Sequence, residues 1–175
     1  RITGYANRSG NIIAAGAAES VMLIPGGLGE TAKSREPAAA MAARINAAHG
    51  NEGGGPIFLG ANCLGVVSHP GSYDSWFIPL ERLPKPQKKP ERNSVMLSQS
   101  GAFVLCRRSQ QPALRFDLGL ALGNQLDVAL CDVLGALAAE PGTGPIVAYI
   151  EGFGPGQLLP AALAIRQLRS QGRRV

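Results

Sequence analysis

Short apolar runs alternate with glycine-rich turns and alanine-rich stretches along this chain. The runs at residues 20–24 and 56–59 predict two buried strands, and the stretch at 30–49 between them has the composition of a helix. The two runs end in turns rich in glycine, at 25–27 and 60–65. Strands that alternate with helices predict a parallel sheet covered on both faces, whose ligands bind at the carboxyl ends of the strands.

The same pattern starts again after residue 93. It predicts a strand at 94–97, a turn at 98–102 that leads into a helix reaching about 110, and then strands at 118–122 and 146–150 and helices at 126–139 and 158–170. The resulting order, β-α-β-α-β-α, indicates a flavodoxin-like domain.

A different composition separates the two patterned regions. Residues 69–93 contain five prolines, Trp76, Phe77 and a cluster of lysines, without a sustained period. We therefore expect a first domain at 1–68, a linker at 69–93 partly packed by its aromatics, and a second domain at 94–175. No glycine-rich first turn precedes the strand at 20–24, and 173–175 reads as the first step of a strand, so we expect the interior of a larger protein.

Composition narrows the class of protein. Apolar residues make up 45% and charged residues 17% of 175, which excludes disorder and collagen despite 23 glycines and 13 prolines. No apolar run approaches the roughly 18 residues that cross a bilayer, and no signal-peptide layout opens the chain. We therefore expect a soluble protein that is neither in a membrane nor secreted.

The cysteines and the net charge bear on metal binding, cellular location and nucleic-acid binding. Three cysteines far apart in sequence argue against a disulfide framework or a zinc site, and we predict no metal site and a cytoplasmic location. The net charge is +5, but the basic residues are dispersed except for the lysines at 85–89 and the arginines at 166–174. Aromatics are only 5%, so no base-stacking platform accompanies the charge. We expect no nucleic-acid partner.

The turn between the strand at 94–97 and its helix is a candidate phosphate site. Ser98, Ser100, Gly101 and Ala102 are small, so backbone N–H groups at the helix start can face an anion that the helix dipole favours. The alternative is a plain turn capped by Ser98 or Ser100. It is not a P-loop, because that motif's lysine is absent.

Other candidate residues also follow predicted strands. Asn62 offers an amide between two glycines, and Cys63 is either a nucleophile or a buried apolar cysteine. Glu151 follows the strand at 146–150 and either orients a cationic or histidine partner or is a solvated loop acid. Asn124 and Asp127 carry the same ambiguity, and Asp127 can alternatively stabilise the start of its helix. The two histidines, His49 and His69, have no metal-ligand companion in the sequence.

Several of these stretches together resemble acyl-CoA synthetases of the nucleoside-diphosphate-forming type, the superfamily that includes the succinyl-CoA synthetase alpha subunit. The motifs are in the family's order and have similar spacings. They are GANCLGV at 60–66, NSVMLSQSGA at 93–102, LGNQLD at 122–127 and YIEGF at 149–153, with a weaker match in MLIPGG at 22–27. The resemblance covers nearly the whole chain.

The resemblance implies an α/β fold with the C-terminal part of a Rossmann-like CoA-binding domain, followed by a flavodoxin-like, succinyl-CoA synthetase-like parallel-sheet domain. It implies that CoA lies beside two turns, the first containing Ile24, Pro25 and Gly26 and the second containing Asn62 and Cys63. It further implies that the helix start at Ser100, Gly101 and Ala102 binds a phosphoryl group and that Glu151 steadies a phosphorylated histidine outside this chain.

The implied activity is that of an acid–CoA ligase. The parent would make acyl-CoA from a small carboxylic acid, CoA and ATP through an acyl phosphate and the phosphohistidine, leaving ADP. An ATP-grasp domain or subunit, holding ATP with Mg outside this chain, and homo- or hetero-oligomers are implied as well. Ala61 replaces the family's usual proline. Leu105 stands where the succinyl-CoA synthetase alpha subunit has a substrate-contacting tyrosine, which argues against succinate.

Two other functions compete with this one. The chain can be a CoA-binding or regulatory module without catalysis, as in fused protein acyltransferases, and catalysis by these 175 residues alone is not expected. A flavodoxin-like FMN protein is the other, but aromatics to sandwich the flavin are scarce.

Overall fold

The computed structural model describes residues 2–83, 94–111, 116–142 and 144–175. They form two compact units. The first comprises the chain up to Cys63 together with Gly123–Val128, and the second comprises Leu64–Leu122 and Ala129–Val175. No described helix is both long and apolar enough to cross a membrane.

The first unit is a two-stranded parallel sheet with helices. Its elements, in chain order, are α1 (Ile2–Ala15), β1 (Ser20–Leu23), α2 (Ala32–His49) and β2 (Ile57–Gly60). The two strands pair in register from Ser20 with Ile57 to Leu23 with Gly60. The helix α2 places Met41 and Ile45, one turn apart, against Phe58, and these side chains are at most 2% exposed. Both strand ends with their turns therefore lie at one edge of this unit.

The second unit contains a five-stranded mixed sheet in the order β4-β3-β6-β5-β7. Its strands are β3 (Gly65–Ser68), β4 (Tyr73–Asp74), β5 (Val95–Ser98), β6 (Leu118–Ala121) and β7 (Ile146–Tyr149), and its helices are α3 (Gly101–Gln110), α4 (Leu130–Ala139) and α5 (Leu158–Ser170). β5 is parallel to both β6 and β7, whereas β3 is antiparallel to β6 and to β4.

The residues of β5 are mostly apolar and suit its central position between β6 and β7. All four of its residues are buried, as an apolar strand with a neighbour on each side requires. Leu130 and Leu134 of α4 and Leu168 of α5 are at most 1% exposed, and α4 and α5 pack together. A second cluster, around Trp76 and Phe116, fills the side of the sheet that carries β3.

The predicted α/β fold class and the β-α-β-α-β-α order of the second half are confirmed. The sheet, however, is not purely parallel, because residues 65–68 form β3 and pair antiparallel with β6. The sequence analysis placed these residues at the end of the first domain and gave them no strand. It also gave residues 69–83 no regular structure, whereas they contain β4 and a 3-10 turn at Leu80–Arg82; residues 84–93 of the predicted linker lie outside the described residues.

Two observed helices differ from the sequence predictions. The chain opens with α1, where the sequence analysis predicted no helix. The predicted helix at 126–139 begins only at Leu130, because 126–128 belong to the first unit. Asp127 does not stabilise that helix: its carboxylate accepts a 2.7 Å hydrogen bond from the Phe58 N–H and lies 3.4 Å from His49 Nε2.

Candidate functional site

The turn after β5 leads directly into α3 and is shaped by its two serines. Ser100 caps the helix, since its hydroxyl oxygen accepts a hydrogen bond from the Phe103 N–H at 3.2 Å. The buried Ser98 hydroxyl donates to the Ser100 carbonyl at 2.7 Å and accepts from the Ser100 N–H at 3.1 Å. Both hydroxyls therefore hold the turn in place, and anion binding here falls to the backbone.

The first N–H groups of α3 belong to Gly101 and Ala102. At these positions an α-helix provides no acceptor within itself, and the positive end of the helix dipole lies beside them. Gly101 also lets Leu64 pack directly against the helix start, because a Cβ there would lie 2.9 Å from Leu64 Cβ. The start of α3 thus has the chemistry of a phosphate site.

Gln99 joins this turn to the turn after β7. Its side-chain Nε2 donates to the Gly152 carbonyl at 2.7 Å, and its Oε1 accepts from the N–H groups of Glu151 at 2.5 Å and Gly152 at 3.0 Å. The Gln99 N–H also donates to the Tyr149 carbonyl at 3.2 Å. Gln99 is only 8% exposed, and both its side-chain nitrogen and its side-chain oxygen are hydrogen-bonded.

This bond network brings together residues that the sequence named separately. The turn with Ser100, Gly101 and Ala102 lies next to the turn with Glu151, at the carboxyl ends of β5 and β7. The parallel strands run in the order β6-β5-β7, so β5 is the point at which the connections change direction and at which such sheets bind ligands. The Glu151 side chain is exposed and available to a partner at this edge.

An aromatic pair adds to the contact between α3 and β7. The rings of Phe103 and Tyr149 stack with centroids 4.0 Å apart, and the Arg107 guanidinium lies 5.1 Å from the Phe103 ring centroid. The pair lies beside the helix start and fixes its position against the sheet.

The first unit carries the second group of predicted residues, at the carboxyl ends of β1 and β2. Asn62 adopts a positive φ of 53°, and its N–H donates to the Pro25 carbonyl at 3.1 Å. A Cβ on Gly26 would lie 3.3 Å from Asn62 Oδ1, so glycine leaves the space beside that amide open. Ile24 is 42% exposed in the same turn.

Cys63 is buried beneath this turn. It is 3% exposed, and its Sγ donates to the carbonyls of Leu23 at 3.5 Å and Leu59 at 3.7 Å. Of the two readings of the cysteine from sequence, this environment favours the packed thiol over the nucleophile.

The segment Gly123–Val128 lies along β2 and completes the edge. The Asn124 N–H donates to the Ala61 carbonyl and the Leu126 N–H donates to the Gly60 carbonyl, both at 2.7 Å. The Asn124 side-chain Nδ2 donates to the Leu28 carbonyl at 3.0 Å and to Glu30 Oε1 at 2.8 Å. Asn124, left ambiguous by sequence, is therefore a link between the two turns of this unit.

Glu30 is a residue that sequence reasoning missed. Hydrogen bonds from the Asn124 side chain, then from the Gly27 N–H and from the Asn62 side chain, hold the pKa of its carboxyl below the usual range. The signal that could have found it is a carboxylate in the loop that follows β1 at its carboxyl end.

Two further observations bear on this unit. A cavity of about 670 Å³, lined by residues 16–19 and 53–56 among others, lies at the amino ends of β1 and β2, away from these turns. Within the described residues, no group of three or more histidine, cysteine, aspartate and glutamate side chains could hold a metal ion.

Comparison with known proteins finds matches both to a domain family and to solved structures with the same fold. Residues 91–170 match the family model of the succinyl-CoA ligase like flavodoxin domain. The apo acetyl-coenzyme A synthetase 1 of Ca. Korarchaeum cryptofilum, described as dinucleotide forming, superimposes with a TM-score of 0.78 at 21% identity, over 99% of this chain and 34% of that protein. The same synthetase in complex with phosphate and ADP gives a TM-score of 0.74 at 22% identity, over 99% of this chain and 33% of that protein.

A Pyrococcus horikoshii OT3 protein gives a TM-score of 0.72 at 18% identity, over 98% of this chain and 41% of that protein. The chain thus spans about a third of the length of the synthetases whose fold it shares. The match of residues 91–170 to this domain model confirms the resemblance to succinyl-CoA synthetase-like CoA ligases indicated by the sequence motifs.

Proposed function

We propose that this chain is the CoA-handling and phosphate-handling part of an acid–CoA ligase that makes acyl-CoA from a small carboxylic acid, CoA and ATP. The observation that carries the proposal is the Gln99 network, which sets the start of α3 beside the Glu151 turn where the sheet changes direction. The ATP-grasp part, with ATP and Mg, and the histidine that carries the phosphoryl group are proposed to lie outside this chain.

The second unit would serve the phosphoryl transfer. The N–H groups of Gly101 and Ala102 would stabilise charge on the transferred phosphoryl group, because donors fixed at a helix start need no reorganisation. Glu151 would accept a hydrogen bond from one ring nitrogen of the incoming histidine and so turn the other nitrogen toward the phosphate. Ser98 and Ser100 would act indirectly, by holding the turn.

The first unit would bind CoA. Ile24, Pro25 and Gly26 form one wall of the proposed site, and Asn62, with Cys63 packed beneath it, forms the other. The space that a Cβ on Gly26 would fill allows a ligand to approach the backbone and the Asn62 amide closely, so these residues fit a CoA moiety. CoA itself would supply the thiol that accepts the acyl group.

The phosphate site can be tested with Ser100→Asp and its uncharged counterpart Ser100→Asn. Both residues cap helices well, so α3 should form in each variant. The new carboxylate of Ser100→Asp, however, would lie beside the Gly101 and Ala102 N–H groups and repel an anion. Isothermal titration with inorganic phosphate should show about tenfold weaker binding for Ser100→Asp and near-normal binding for Ser100→Asn.

Two outcomes, one from this titration and one from a parallel titration of the wild-type chain with CoA, would count against the ligase. Equal phosphate binding by both variants would show that the start of α3 is not the site. Binding of CoA by the wild-type chain without any binding of phosphate would favour the regulatory module over the ligase.

A further inference from the structure

Three side chains converge beside Gly26 in the first unit. An ideal Cβ on that glycine would lie 3.3 Å from Asn62 Oδ1 and 3.7 Å from Glu30 Oε1, and Asn124 Nδ2 donates to the same carboxylate oxygen at 2.8 Å. Glu30 and Asn62 are both exposed at this edge. We infer that Glu30 is a positioning residue that fixes the Asn62 amide, so that Asn62 presents its carbonyl oxygen to a hydrogen-bond donor of the ligand. The inference rests on the proposed CoA function.

The orientation follows from what each group can do. An ionised carboxylate only accepts hydrogen bonds, whereas a side-chain amide donates through nitrogen and accepts through oxygen. A hydrogen bond between the Asn62 amide and the Glu30 carboxylate, which both lie beside the Gly26 Cβ position, can therefore use only Asn62 Nδ2. The Asn62 oxygen is then left as the acceptor beside the open space at Gly26.

Glu30 is itself held from two sides. Asn124 Nδ2 donates to its Oε1 at 2.8 Å from the segment along β2, and the Gly27 N–H in the turn after β1 lowers the pKa of the carboxyl. Asn124 is anchored in turn by its bonds to the carbonyls of Leu28 and Ala61. The carboxylate thus has a fixed position from which it can hold the Asn62 amide.

This polarity selects part of CoA. The ionised phosphates of CoA only accept hydrogen bonds, so they would meet the Asn62 oxygen unfavourably. The donors of CoA are the amide N–H groups, hydroxyl and thiol of its pantetheine arm, and the adenine amino group and ribose hydroxyl of its nucleotide. Titrations with pantetheine and with adenosine 3′,5′-bisphosphate would separate the two sources.

The test is a reversal of polarity at one bond. Asn62→Asp keeps an acceptor toward the ligand but sets a carboxylate against Glu30, so CoA should bind at least about tenfold more weakly in calorimetry. Adding Glu30→Gln supplies an NH₂ group that donates to the new aspartate, and the double variant should bind CoA within about threefold of wild type. Failure of Glu30→Gln to restore binding would overturn the inference.

A second readout does not depend on CoA. In ¹⁵N NMR the side-chain NH₂ signals of Asn62 should shift as the Glu30 carboxyl titrates, and the shift should disappear in Glu30→Gln. If the chemical shifts of these signals do not change as the Glu30 carboxyl titrates, Glu30 does not hold the amide and the inference is wrong. If they follow it but wild type binds no CoA, it is the proposed CoA function that fails, and the ligand part of the inference fails with it.

Discussion

Replacing Gln99 by leucine should lower the free energy of unfolding by about 2 kcal/mol and remove phosphate binding by the second unit. The substitution takes away three hydrogen bonds at once, to the Gly152 carbonyl and from the N–H groups of Glu151 and Gly152. The turn that carries Glu151 would then lose its attachment to the turn before α3. Urea denaturation and phosphate titration of the variant measure the two effects.

Gln110→Leu is the matched control. Gln110 is the last residue of α3 and is exposed, so the same chemical change there should alter stability by no more than about 0.5 kcal/mol and leave phosphate binding intact. The account of the second unit would be wrong if both variants lost the same stability and both still bound phosphate.

Gly123→Ala should lower the free energy of unfolding by about 3 kcal/mol. Gly123 has a positive φ of 62°, and a Cβ there would lie 2.1 Å from the Ala61 carbonyl oxygen and 2.6 Å from that of Asn62. Both contacts are with backbone, which cannot move aside as a side chain can. The segment that begins at Gly123 should be forced away from β2, with loss of the hydrogen bond from the Asn124 N–H.

Gly16→Ala separates the clash from the backbone preference. Gly16 has a similar φ of 57°, but nothing in the described part of the chain lies within 4 Å of its Cβ position. Its replacement should cost only the strain of a left-handed alanine, about 1 kcal/mol. Equal losses in the two variants, measured by urea denaturation, would show that the close approach at Gly123 contributes nothing.

The parallel sheet itself brings the turns of Ser100 and Glu151 together. The two residues follow different strands, and the carboxyl ends of parallel strands meet at one edge, so their turns are neighbours. The strands β5 and β7 are recognisable from sequence because each corresponds to a run of four or five mostly apolar residues. The family motifs pointed to the same residues.

The contacts that sequence reasoning missed are long-range hydrogen bonds. Glu30 and Asn124 are 94 positions apart, and Gln99 and Gly152 are 53 apart. Nothing in the local pattern around a glutamine or a glutamate tells which distant backbone group it will meet. The antiparallel strand β3 was missed for a similar reason, since its four residues pair with β6, some fifty positions further on.

The most direct test of the central claim is calorimetric titration of the 175-residue chain with CoA, compared with the same titration of Asn62→Ala. The account predicts that wild type binds CoA and that the variant binds at least about tenfold more weakly, because Asn62 loses its only side-chain acceptor beside Gly26. Unchanged binding by Asn62→Ala, or none by a folded wild type, would contradict the assignment of these turns to CoA.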